Sequence, residues 1–63
     1  GPAAARGRLA AAQCALRLGR YGQAEEDYRA ILRLAEKDPA LRREADSGLE
    51  TARGLVAYWR ENN

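Results

Sequence analysis

Apolar residues recur at three- and four-residue spacing through three stretches of the chain, with polar residues between them. In the first, Ala5, Leu9, Ala12 and Leu16 mark one stripe, and Ala, Leu, Arg and Gln are all good helix formers. The spacing predicts a helix over 3–18, weakened near its start by Gly7. In the second, Ala24, Tyr28, Ile31, Leu32 and Ala35 form a stripe as wide as a core-facing helix presents, over 23–37. Glu25, Glu26 and Asp27 would place negative charge at its start, and Arg33 and Lys37 positive charge near its end, both suited to the helix dipole. The third stretch, 39–60, carries Leu41, Ala45, Leu49 or Gly48, Ala52, Leu55, Val56 and Trp59 at helical spacing.

The junctions between these stretches are also legible. Gly19 can take the left-handed conformation that closes a helix, and Gly22 permits a second sharp change of direction. Asp38 is a strong N-cap and Pro39 is favoured at a first helical position, so this pair both ends the second helix and starts the third. Gly48 and Gly54 each cost about 1 kcal/mol in a helix interior and imply either close packing or a bend. Short connections favour antiparallel neighbours. No strand-like alternation occurs, and the fold class is all-α: an antiparallel helix-turn-helix followed by a third, longer helix.

Sixty-three residues permit one domain, and a chain this short buries only about 60% of its unfolded surface. With no Phe, one Trp and much Ala, its core is thin, so neighbouring protein is expected to help hold it. Gly1-Pro2 looks like the remnant of a cleaved tag, leaving 3–63 as the domain. A single Cys14 excludes an internal disulfide, and no run approaches the ~18 apolar residues of a membrane span. Without a signal-peptide pattern, a reducing cytoplasmic environment is the default expectation. Eleven basic and nine acidic residues leave +2, too little to argue for nucleic acid. Arg42, Arg43, Arg53 and Arg60 alternate with Glu44, Asp46, Glu50 and Glu61, which makes a mixed solvated face and not a positive stripe.

Catalytic and metal chemistry find little footing. There is no His, the usual general base and commonest metal ligand. Cys14, one turn from Arg17, reads as a small packing residue in an Ala-rich helix. Ser47 and Thr51 have no base beside them, and adjacent positions such as Glu25, Glu26 and Asp27 cannot converge on one ligand. The chain is expected to be no enzyme and to use no metal or cofactor.

The junction Gly19-Arg20-Tyr21, followed by Ala24 and then Tyr28 one turn later, resembles a tetratricopeptide repeat (TPR), a 34-residue helix-turn-helix unit. Ala12 falls at the family's small residue on the first helix, and Leu32 and Leu34 at its aliphatics. The resemblance implies that Ala12, Gly19, Tyr21, Ala24, Tyr28 and Leu32 are structural, the small residues allowing close approach and the aromatic filling the wedge. Arg8, Ala11, Ala15 and Ile31 depart from the pattern, and Pro39 closes it three residues late. These departures suit a terminal repeat followed by a capping helix. The two-carboxylate clamp of chaperone-binding members keeps Arg6 but has Ala10 for its Arg, so it is not implied.

The resemblance implies a protein–protein interaction module, and the charge balance and lack of a long apolar run point to neither nucleic acid nor membrane as partner. One repeat makes no groove, so binding through a helix face is expected, the alternative being homodimerisation. The third helix spans about 33 Å against about 22 Å for the second and should overshoot it. Leu55, Val56, Tyr58 and Trp59 fall on the overshoot and, with Arg6, are the candidate partner-binding residues. Either Gly54 bends them over the Gly19 turn or they form an exposed apolar patch.

Overall fold

In the computed structural model, residues 2–62 are described; Gly1 of the expected tag remnant and Asn63 lie outside the described residues. Three helices follow in order: α1 (Pro2–Arg17), α2 (Tyr21–Leu34) and α3 (Pro39–Asn62). The domain is all-α, with no strand among the described residues. Helix α1 packs on α2 and α2 on α3, so the shortest helix is the central one. The body measures 38 × 17 × 14 Å, its long axis set by α3.

Gly19 closes α1 with φ +76°, the one glycine with positive φ among the described residues. Its N–H donates to the Leu16 carbonyl at 3.1 Å, and that of Arg20 donates to the Ala15 carbonyl at 2.8 Å. This crossed pair is a Schellman motif, which satisfies carbonyls that the helix end would otherwise leave open. The expected second change of direction at Gly22 does not occur. Arg20, at φ −92° and ψ 68°, already redirects the chain, and α2 begins at Tyr21, two residues before the expected start. Gly22 therefore lies inside the helix, and the acidic triplet at 25–27 falls beyond the first turn. Dipole complementarity does not account for that triplet, since the effect fades within one turn.

Helix α2 stops at Leu34 and not at residue 37. Ala35 leaves helical geometry (φ −112°, ψ 44°) while its N–H still donates to the Ile31 carbonyl at 2.8 Å. Asp38 and Pro39 impose this earlier end. Pro keeps the residue before it out of helical geometry, and a turn over 36–37 is needed to bring Asp38 into capping position. There its Oδ1 accepts the Leu41 N–H at 3.2 Å and its carbonyl accepts that of Arg42 at 2.9 Å. Helix α3 then runs unbroken through Gly54 to Asn62, two residues past the expected end.

Alanine dominates the core. Ala12, Ala24, Ala45 and Ala52 are fully buried, and Ile31 is the largest side chain to be so. Leu9, Leu16, Leu32 and Leu49 pack around this centre half-buried, whereas Leu34 is exposed. The two interior glycines of α3 prove to be unlike. A Cβ at Gly48 would overlap the ring of buried Tyr28, whereas one at Gly54 would meet nothing within 4 Å. Tyr28 thus lies directly on the α3 backbone, and burial, with a smaller contribution from Glu44, raises its phenol pKa above the usual value.

Three substitutions test this packing by thermal melting. Ala24→Phe and Gly48→Ala should each destabilise by about 1–3 kcal/mol through overpacking, the latter despite the better helix propensity of Ala. Gly54→Ala should instead stabilise by about 0.5–1 kcal/mol. In a domain of this size 1 kcal/mol moves Tm by roughly 4–8 °C, so the opposite signs at the two glycines are readily measured.

Candidate functional site

Asp27, third of the acidic triplet, is buried at 3% exposure between α1 and α2. Its Oδ1 accepts from Arg8 Nη1 at 3.1 Å and from Gln23 Nε2 at 3.3 Å. Arg8 keeps about half of its side chain in solvent, so the pair bridges the core edge and the surface. Such a bridge gives the basic residue at position 8 a structural role. Glu25 pairs with Arg29 one turn on, at 3.1 Å on the helix surface. The three acidic residues thus point different ways and hold no common ligand. Among the described residues no group of three or more His, Cys, Asp or Glu could bind a metal.

Trp59 lies seven residues, two helical turns, past buried Ala52 on the core-facing stripe of α3. Helix α2 ends below that point, and side chains lean toward their own helix's N-terminus, so the indole reaches back to the first residue of α2. The Trp59 and Tyr21 rings lie 6.5 Å apart and 38° from coplanar. Trp59 nonetheless remains 50% exposed and Tyr58 62%. Leu55 and Val56 beside them are half-buried. Neither alternative drawn from the sequence holds alone: α3 stays helical through Gly54, and yet Trp59 on the overhang meets Tyr21 at the start of α2.

Arg6 is exposed near the opposite end of α1 from the Gly19 turn, so it is not brought together with the four α3 candidates. Ala10, one turn on, is also exposed. Of the structural candidates, Ala12, Ala24 and Tyr28 are buried, Tyr21 and Leu32 are half-buried, and Gly19 forms the turn.

Cys14 is exposed, not packed, and its Sγ accepts from Arg17 Nη2 at 3.3 Å. It belongs to an outer face of α1 made of Ala3, Gly7, Ala10 and Ala11, all exposed and uncharged. The Ala5, Leu9, Ala12 and Leu16 stripe marks the inward face of α1, and Cys14 falls on the opposite side of the helix from it. A cleft of about 490 Å³ lies between this face and α2, with Arg8, Leu18 and Arg20 at its edges. No helix among the described residues is long and apolar enough to cross a membrane. No family model, curated protein or solved structure matches this chain. Its geometry is that of a small three-helix all-α domain.

The two ion pairs differ in burial and so in worth. Arg8→Met leaves a buried carboxylate with one fewer donor and should cost about 1–3 kcal/mol. Arg29→Met removes a surface i,i+4 pair of roughly 0.3–0.5 kcal/mol. Urea denaturation of both variants measures the difference, and equal losses would mean that Asp27 is solvated after all.

Proposed function

We propose that this chain is a non-catalytic protein–protein interaction module of TPR-like build, which engages a protein partner through the aromatic end of α3. The observation that carries the reading is the Tyr21–Trp59 contact with half of Trp59 left open. A large amphipathic ring that is held in place by a neighbour and still exposed offers much contact area at little entropic cost. Leu55, Val56 and Tyr58 widen the patch. The TPR-like part of the reading rests on the Gly19–Tyr21 turn and the burial of Ala12 and Ala24; Tyr28 is buried too, but against Gly48 of α3 and not, as the resemblance implies, in the wedge between the first two helices. An exposed free thiol at Cys14 suits work in a reducing, cytoplasmic compartment.

A second reading, self-association, draws on a different surface. The uncharged outer face of α1 could pack against another helix, including that of a second copy.

Trp59→Ala separates a binding role from a structural one. Helical peptide ligands selected against the folded domain by phage display should lose about 2 kcal/mol or more of affinity, roughly thirtyfold. Thermal stability should fall only by the roughly 0.5–1.5 kcal/mol of an aromatic pair. Unchanged affinity with a collapsed melting temperature would place Trp59 in the core and end the interface reading. Sedimentation over a range of concentrations tests the second reading: a dimer disrupted by Ala10→Glu but indifferent to Trp59→Ala would favour it.

A further inference from the structure

The cleft between α1 and α2 brings opposite charges together over apolar side chains, and it is separate from the aromatic end of α3. Asp27 lines it together with Arg8, Arg20 and Gln23. The Asp27 side chain is only 5% exposed, yet both of its hydrogen bonds, from Arg8 and Gln23, fall on Oδ1. Oδ2 accepts neither. Among the described residues no enclosed side-chain oxygen or nitrogen lacks a partner, so Oδ2 is not sealed in and opens to the cleft it lines. It is an acceptor held on a buried side chain with its site left open. Arg20, on the exposed turn, makes no side-chain capping bond, whereas Arg17 nearby is engaged by Cys14. Ala11, Ala15 and Leu18 supply the apolar lining.

These groups select against ligands of a single sign. A simple cation drawn to Oδ2 would face the guanidinium groups of Arg8 and Arg20. A simple anion drawn to Arg20 would face the open carboxylate oxygen, and juxtaposed like charges cost affinity. A ligand that carries both signs close together meets neither penalty. The cleft, at about 490 Å³, has the volume of a small-molecule site. We propose that it binds a free α-amino acid with an aliphatic side chain. The ammonium would donate to Asp27 Oδ2, the carboxylate would accept from Arg20, and the side chain would lie on Ala11, Ala15 and Leu18. Such a ligand touches α1, the turn and α2 at once, so occupancy would hold α1 against α2.

Free leucine and two analogues that each lack one charge test the proposal: isocaproate, without the ammonium, and isoamylamine, without the carboxylate. In an NMR titration the backbone amides of Ala11, Ala15, Arg20 and Gln23 should shift saturably with leucine, and Tm should rise with its concentration. Each analogue should bind at least tenfold more weakly. Arg20→Gln should weaken leucine at least tenfold, and a melting curve confirms that this exposed variant is folded. Asp27→Asn, which keeps an acceptor for Arg8 and Gln23 while removing the charge, should do the same; if it fails to fold, Arg20→Gln decides. Equal binding of isocaproate would make the cleft an anion site, equal binding of isoamylamine would make it a cation site, and either would overturn the proposal. So would an indifferent Arg20→Gln variant, shifts gathered around Trp59 instead of the cleft, or no saturable shift up to the solubility of leucine.

Discussion

Close approach of helix backbones to α2 is the constraint on which the rest of the structure depends. Ala12 and Ala24 on one side, and Ala45, Gly48 and Ala52 on the other, leave no side chain to hold the helices apart. A core built this way buries few methylenes per residue, and Ile31 is its one large, fully enclosed side chain. Stability must then come from fit. Tyr28 gains its contacts by lying on bare backbone at Gly48, and the polar bridge from Arg8 to Asp27 ties α1 to α2 where no large apolar residue does so. Interiors packed to crystal-like density feel even an added methyl group, and here the seams are lined by alanine and one glycine, where a larger side chain has little room.

Much of this was legible in the chain, and the parts that were not share a cause. Three periodic stretches, the Gly19 turn and the Asp38-Pro39 boundary follow from local chemistry, and the structure bears out each of them. The early end of α2 was recoverable in principle, since Asp38 cannot cap α3 while α2 still runs to Lys37. The burial of Asp27 was not, because its partner Arg8 comes from another helix nineteen positions away. Cys14 was assignable to the outside of α1, since it lies opposite the Ala5, Leu9, Ala12 and Leu16 stripe, and only its small size suggested packing. Gly48 and Gly54 look identical in sequence and differ only through what α2 presents opposite them.

At the candidate site the same division holds. The length mismatch between α2 and α3 could be counted, and it placed Leu55, Val56, Tyr58 and Trp59 on an overhang. The capture of Trp59 by Tyr21 could not be counted, because it depends on α2 starting at Tyr21 and on the lean of a side chain back along its own helix. The molecule thus presents two surfaces of different character. One is aromatic, at the end of α3; the other is made of small uncharged residues, along α1. Aromatic side chains commonly anchor interfaces, whereas a face of alanine and glycine mainly permits close contact.

The serial packing of α1 on α2 and α2 on α3 has a consequence for motion. Each outer helix is held chiefly by the middle one, so the contacts that stabilise it connect residues near in sequence. Chains of such low contact order fold quickly, because little loop entropy is spent before contacts form. The same locality divides the native state into separable units. Helix α1 can detach from α2 while the Tyr28–Gly48 seam stays closed, and amide hydrogen exchange in α1 would then report a smaller opening free energy than that of α2, which can open only when both seams do.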